Sequence, residues 1–256
     1  MVFSKINTFL IAKDKVFLYN NPEMRDHMVA VVTGGCHGLG RVFTECLLSL
    51  GYKVYALYNT SVDEAIELES KYDNLRCIKC DIINESMVEN TLFNIDSIDI
   101  LINNAGIACD NNYGDKSLKE FMRVVETNLG GTYVMTKYAL SKLNDKGIII
   151  NISSNNAIDN YNPISMDYDA SKAGVNILTK DFSLVLDDMN RNQRIVSICP
   201  GWIATESVKS ADPKYIEAEM KKVNQRTLLE PVNLVKYILD NKDCFNNGEI
   251  REIVNL

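Results

Sequence analysis

An α/β fold of one domain, a doubly wound parallel sheet with helices on both faces, is what this sequence predicts, and three observations predict it. From Met28 onward, short β-branched runs alternate with longer stretches of helical period. Several runs, such as Val29-Ala30-Val31-Val32 and Ile148-Ile149-Ile150, are apolar without alternation, as strands buried on both faces are. No internal repeat or low-complexity linker divides the chain.

The first strand is expected at Val29–Thr33, followed by a helix over Leu39–Leu50 that Gly51 ends. A strand at Lys53–Tyr58 and a helix at Val62–Lys71 repeat the unit, and Leu75–Lys79 and Asp99–Asn103 supply two further strands. One long helix is expected over Leu118–Leu143, then a strand at Gly147–Ser153 and a helix over Tyr168–Asp187. Arg194–Cys199, a helix at Pro213–Val223 and a last strand at Glu249–Val254 complete about seven strands in a domain spanning 28–256. Residues 1–27 stand apart as an N-terminal extension. There Asn7–Ala12 and Val16–Tyr19 flank Lys13-Asp14-Lys15 as a short hairpin would, and Pro22 breaks the chain before the first strand.

The chain has 256 residues, enough for a core without disulfide or metal staples, and its net charge is −7. With the basic residues dispersed, neither nucleic acid nor an anionic membrane is the expected partner. No apolar run reaches the length of a membrane span, and Phe9-Leu10-Ile11-Ala12 is too short for a secretory signal. Seven cysteines without such a signal predict reduced thiols and a cytoplasmic protein. Cys77-x-x-Cys80 sits in strand-like sequence without a second pair, and the only histidines are His27 and His37. No metal is expected; those thiols are read as small core residues.

Chemistry begins at Thr33-Gly34-Gly35-Cys36-His37-Gly38-Leu39-Gly40, a turn between a buried strand and a helix. Gly34, Gly38 and Gly40 allow a tight turn close to an anion, and the helix start supplies free N–H groups. In that context the turn predicts a dinucleotide site and a Rossmann-like fold. About 20 residues on, a carboxylate usually meets the ribose 2′-hydroxyl. Here Tyr58-Asn59-Thr60-Ser61 offers hydroxyls and an amide, with Asp63 and Glu64 only later. Asn59, Thr60 and Ser61, with His37 adding a donor from the turn, therefore favour NADP(H) over NAD(H). Arg41, just inside the helix, is read as structural.

Three Tyr-x-x-x-Lys pairs occur, at Tyr133/Lys137, Tyr138/Lys142 and Tyr168/Lys172. Only the third follows both the glycine turn and a serine pair closing a strand, Ser153-Ser154. One helical turn apart, a lysine ammonium is expected to favour the phenolate and lower the tyrosine pKa, making Tyr168 a proton donor near neutral pH. Ser153 alternates to the other sheet face, which leaves Ser154 as the candidate hydroxyl. The other two pairs are read as helix surface or subunit contact.

Together these motifs resemble the short-chain dehydrogenase/reductases of the classical subgroup, with particular likeness to the 3-oxoacyl-carrier-protein reductases. The resemblance runs from about Met28 to the last strand and includes Gln225–Pro231. It assigns the cofactor turn to Gly34, His37, Gly38, Leu39 and Gly40, and an adenine-contacting pair to Asp81-Ile82. Asn103-Asn104-Ala105-Gly106 matches the family's Asn-Asn-Ala-Gly segment, so Asn104, Ala105 and Gly106 join the cofactor set. Asn128, Ser154, Tyr168 and Lys172 match the catalytic tetrad, with Asn128 in a proton relay behind Lys172, which also holds the nicotinamide ribose. Pro200-Gly201, Ile203 and Thr205 match the segment that holds the carboxamide.

The chain departs from the family in its extension, in an Asn-rich wall at Asn155–Asp167 and in its ending, Ile253-Val254-Asn255-Leu256. The segment after Thr205 is similar to the family's substrate lid, and Trp202 is expected to pack beside the nicotinamide. What the resemblance implies is an NADP(H)-dependent oxidoreductase, a carbonyl reductase or alcohol dehydrogenase acting on a small or medium substrate, as a homodimer or homotetramer. The competing expectations are a catalytically silent dinucleotide-binding sensor or scaffold and a dehydratase or epimerase on the same fold.

Overall fold

A computed structural model describes residues 28–189 and 191–256; the hairpin expected within 1–27 lies outside the described residues. Seven strands, β1 (Val29–Thr33), β2 (Lys53–Tyr58), β3 (Leu75–Lys79), β4 (Ile98–Asn103), β5 (Leu143–Ile152), β6 (Arg194–Pro200) and β7 (Ile250–Ile253), form one sheet. Their order is β3-β2-β1-β4-β5-β6-β7, and every neighbouring pair is parallel. The helices are α1 (Gly38–Ser49), α2 (Val62–Glu69), α3 (Glu85–Phe93), α4 (Leu118–Val125), α5 (Gly131–Ala139), α6 (Met166–Asp188), α7 (Glu206–Lys209), α8 (Pro213–Lys222) and α9 (Pro231–Asn241).

Period-2 alternation feeds two cores. Ala30 and Val32 of β1 pack on one face with Phe43 and Leu47 of α1 and Leu234 and Ile238 of α9. Val31 points the other way, into a core with Val88 and Leu92 of α3, Met135 of α5 and Leu186 of α6. Because both faces are covered, the strands carry no polar side, which is why their sequences show no alternation.

The long helix expected over Leu118–Leu143 is three pieces. A π-helical turn, Glu126–Gly130, separates α4 from α5, and Leu143 already belongs to β5. The wide turn leaves the apolar spacing helix-like, so periodicity alone does not reveal it. β5 starts early through a register shift, Ile98 pairing with Leu143 and Ile100 with Ile148, with Lys146 at φ 63° in between. Three helices were not foreseen. The α3 helix buries only Val88 and Leu92 and is announced by its cap, Asn84, which accepts from the Met87 amide at 3.0 Å. Four residues make α7 too short for a period. The α9 helix had a legible signal, Pro231 at its first turn and Leu234, Val235, Ile238 and Leu239 buried behind it.

A polar row crosses the sheet beneath α5 and α6. Asn103 Nδ2 donates to Asn151 Oδ1 at 2.8 Å and to Thr136 Oγ1 at 3.1 Å, and Asn151 Nδ2 donates to Thr179 Oγ1 at 2.9 Å. On β6, Ser197 Oγ donates to Asn176 Oδ1 at 2.6 Å. All six are buried, so α6 is bolted to the strands by hydrogen bonds as well as by apolar contact. Asn151→Ala leaves donors and acceptors unpaired on both sides, and is expected to lower stability by about 2–3 kcal/mol in urea unfolding. A change within about 0.5 kcal/mol would show that the row contributes nothing.

Candidate active site

Between β1 and β4 the strand order reverses, and the carboxyl ends of these strands part to leave a cleft. Thr33, the last residue of β1, ties the two sides together. Its Oγ1 accepts from the amides of Asn104 and Ala105, each at 3.0 Å, and its carbonyl accepts from Asn104 Nδ2 at 3.0 Å. The glycine turn follows with Gly34 at φ 62° and Gly38 at φ 53°, a left-handed region open to glycine without strain. A Cβ on Gly40 would overlap the carbonyl oxygen of Gly34, so α1 can lie this close to the turn only with glycine there.

The cleft has a volume of about 840 Å³. Its lining gathers residues from distant stretches of the chain: Gly34, His37, Gly38 and Leu39 at the start of α1; Asn59, Thr60 and Ser61 after β2; Asp81 and Ile82 after β3; Asn104, Ala105 and Gly106 after β4; Ser154 after β5; Tyr168 and Lys172 on α6; and Pro200, Gly201, Ile203 and Thr205 after β6. Of the expected site residues only Gly40 and Asn128 do not line it. Gly40 is packed against the turn, and Asn128 is fully buried below. These features fit a dinucleotide: a glycine cradle, a cleft of suitable size, and a helix start whose His37 cap makes no side-chain hydrogen bond to the first-turn amides.

At the end of β2 no carboxylate faces the cleft; Asp63 and Glu64 sit in the first turn of α2. His37 Nδ1 and Ser61 Oγ lie 3.1 Å apart. Arg41 is occupied by Glu45 at 3.0 Å and Glu67 at 2.9 Å, in keeping with a structural role.

Tyr168 and Lys172 stand one turn apart on α6, and Ser154 follows β5. The Ser154 hydroxyl favours the ionised form of the Tyr168 phenol. The expectation that Lys172 draws this phenol down is not met. Burial pushes Tyr168 up to about 12, opposed by the Ser154 hydroxyl and reinforced by Asp169 and Asp110. Lys172 Nζ instead donates to the Ile152 carbonyl at 2.7 Å and lies 5.6 Å from the tyrosine ring centroid. Burial lowers the lysine itself to about 8.

Asn128, in the π turn, accepts from the Ile107 amide at 2.8 Å and donates to the Ile107 carbonyl at 2.9 Å and to Ser171 Oγ at 3.0 Å. It thereby fixes the chain after Gly106. A Cβ on Gly106 would stand 3.2 Å from Asn128 Oδ1 and 3.4 Å from Lys172 Nζ, so both groups border that glycine. Ser153 Oγ donates to the Lys172 carbonyl at 3.0 Å and so supports α6.

The Asn-rich wall is tied to α6 and α8. Asp169 accepts from Asn156 Nδ2 at 2.7 Å and the Asn162 amide at 2.9 Å, while Asn162 Nδ2 donates to Tyr215 OH on α8 at 2.9 Å. Trp202 is not part of the cleft lining. It meets Tyr215 edge-on at 6.2 Å, and its backbone is held by Gln225. Sequence reasoning missed Arg123 and Thr127, one turn apart on the α4 side, and Ser207 of α7, all in the lining. Their only signal was position relative to Asn128 and Thr205. In the two other Tyr-x-x-x-Lys pairs, Lys137 and Tyr138 both bind Glu85 at the surface, and Lys142 donates to the Phe93 carbonyl. Cys36 Sγ lies 3.7 Å from Cys77 Sγ, and no cluster able to hold a metal occurs among the described residues.

Residues 28–216 match the family model described as short chain dehydrogenase. An acetoacetyl-CoA reductase of Rhizobium meliloti is 33% identical over 196 residues, covering 73% of this chain and 79% of that protein. The 15-hydroxyprostaglandin dehydrogenase [NAD(+)] of Homo sapiens is 32% identical over 198 residues, covering 72% and 71%. Among solved structures, a dehydrogenase/reductase from Sinorhizobium meliloti superposes with a TM-score of 0.80 at 25% identity, covering 89% of this chain and 93% of that one.

Proposed function

This chain belongs to the short-chain dehydrogenase family and is an oxidoreductase; on that premise we propose that it interconverts a ketone and a secondary alcohol, using NADP(H) and Tyr168 as acid and base. The observation that carries this is the convergence of Ser154, Tyr168 and Lys172 on a cleft that also contains the glycine turn. Bound there, the cofactor supplies the hydride. Gly34, Gly38 and Leu39 with the α1 dipole would hold its phosphates, Asp81 and Ile82 its adenine, and Asn104–Gly106 and Pro200–Thr205 its nicotinamide end. His37, Asn59, Thr60 and Ser61 offer donors and no carboxylate, which suits a 2′-phosphate.

Ser154 would hydrogen-bond the substrate carbonyl, and the Tyr168 phenol would deliver a proton to the oxygen as hydride reaches the carbon. A phenol held up near 12 stays protonated at neutral pH, which suits reduction. Among the carbonyls compatible with a polar lid, a 3-oxoacyl thioester is favoured, because a relative is named for acetoacetyl-CoA. The same reading gives a homodimer or homotetramer in the cytoplasm. Its copies would meet through the outer faces of α4, α5 and α6, where Tyr133, Ile177 and Leu184 are exposed; a monomer in sedimentation would contradict this.

Tyr168→Phe is expected to bind NADPH as the parent does, more tightly than NADH, while carbonyl reduction falls by about 10²–10⁴-fold. Equal turnover would mean that another group moves the proton and would favour the silent-sensor alternative for this site. A pH series tests Lys172. In the proposed site its ammonium holds the nicotinamide ribose, so reduction should be full below about pH 8 and fall about tenfold per unit above it. A rate that stays level through the alkaline range would remove Lys172 from that role.

A further inference from the structure

We propose that the buried Lys116–Asp167 ion pair is a positioning device for Tyr168, clamping the loop after β4 onto the first turn of α6. This goes beyond the tetrad and rests on Tyr168 as the proton donor. The loop leaves the cleft at Ile107, where Asn128 grips it, and runs to α4. Along the way it touches the Tyr168 turn three times. Ser165 Oγ donates to Asp110 Oδ1 at 2.7 Å, the Asn111 amide to the Ile164 carbonyl at 3.3 Å, and Lys116 Nζ to Asp167 Oδ1 at 2.6 Å.

The third contact differs in kind. The Lys116 and Asp167 side chains are 3% and 0% exposed, and Lys116 Nζ also donates to the Cys109 carbonyl at 2.5 Å, closing the loop on itself. Asp167 Oδ1 accepts from the Tyr168 amide as well, at 2.9 Å, so one carboxylate oxygen holds both the lysine and the backbone of the candidate acid. Ser165, at the start of α6, gives its hydroxyl to Asp110 and makes no cap for its own helix. A buried ion pair seldom adds net stability over apolar packing; what it gives is one fixed geometry. Here that geometry is the entry angle of α6, with Asp167 one residue before Tyr168 and five before Lys172.

The charge matters too. The groups acting on the Tyr168 phenol are Ser154, Lys172, Asp169, Asp110 and Cys199, with the carboxylates pushing it upward. Lys116 balances Asp167, one of the two carboxylates that flank Tyr168 in sequence. Without the lysine, Asp167 would join Asp169 and Asp110.

The test uses the full chain as Lys116→Met, Asp167→Asn and the double variant. Tyr168 ionisation is followed by NMR of ring-labelled tyrosine, its signal assigned by loss in Tyr168→Phe. Asp167→Asn keeps an acceptor for Lys116 and for the Tyr168 amide; its titration should move down by about half a unit or more. Lys116→Met should move it up and lower kcat about tenfold, with the dissociation constant for NADPH within about twofold of the parent. The double variant, neutral again, should regain most of that kcat. Unchanged titration and kcat in both single variants would overturn the proposal, as would a kcat loss in Lys116→Met that the double variant does not recover. If Lys116→Met does not fold, the Asp167→Asn titration decides alone. The NMR signal needs no turnover, so a fully active Tyr168→Phe would undo the functional assignment while leaving the coupling between the pair and Tyr168 readable.

Discussion

Everything at the site depends on how Thr33 and Asn104 bind β1 to β4 at the point where the strand order reverses. Three hydrogen bonds of 3.0 Å, two into one threonine hydroxyl and one into its carbonyl, join chain segments 71 and 72 residues apart. They stand at the carboxyl ends of two central strands, where backbone groups have run out of ladder partners. The glycine turn therefore begins from a fixed point, and so does the segment that leads through Gly106 to the loop held by Asn128. One junction aligns the anion-holding side of the cleft with its chemical side. Loss of either side chain would let these two halves drift independently, even with the sheet intact.

The second organising fact is that burial sets the electrostatics more than the lysine does. The phenol is pushed up to about 12 and the ammonium down to about 8, each toward its neutral form. Both follow from taking a charge out of water with no opposite charge in contact. The site as built favours a neutral phenol, with the Ser154 hydroxyl opposing that preference. Proton affinity here is a property of the whole wall, including Asp110 and Asp169, which no two-residue motif contains.

Most of the architecture could be read from the chain, because strands such as Val29-Ala30-Val31-Val32 and the turn at Gly34–Gly40 each have one physical explanation. β1, β2 and β3 lie where the residues put them. The catalytic candidates Ser154, Tyr168 and Lys172 do share one cleft. What escaped reading was long-range or non-periodic. The π turn at Glu126–Gly130 preserves apolar spacing, and the Lys116–Asp167 pair joins residues 51 apart that no local pattern links. The direction of the Tyr168 shift was missed for the same reason: spacing on a helix shows that Lys172 is near, but burial and the aim of its Nζ belong to the folded molecule. After Pro231, the apolar spacing of Leu234, Val235, Ile238 and Leu239 is a helical signal that the sequence did carry.

The polar row through Asn103, Asn151 and Ser197 has a consequence for how the sheet aligns at all. A run like Ile148-Ile149-Ile150 between equally oily neighbours would fit almost as well if it slid along by two positions, since every face is greasy. The amides remove that freedom. Any slip would strand an asparagine among hydrocarbon, so the sheet's few hydrophilic side chains act as its alignment pins.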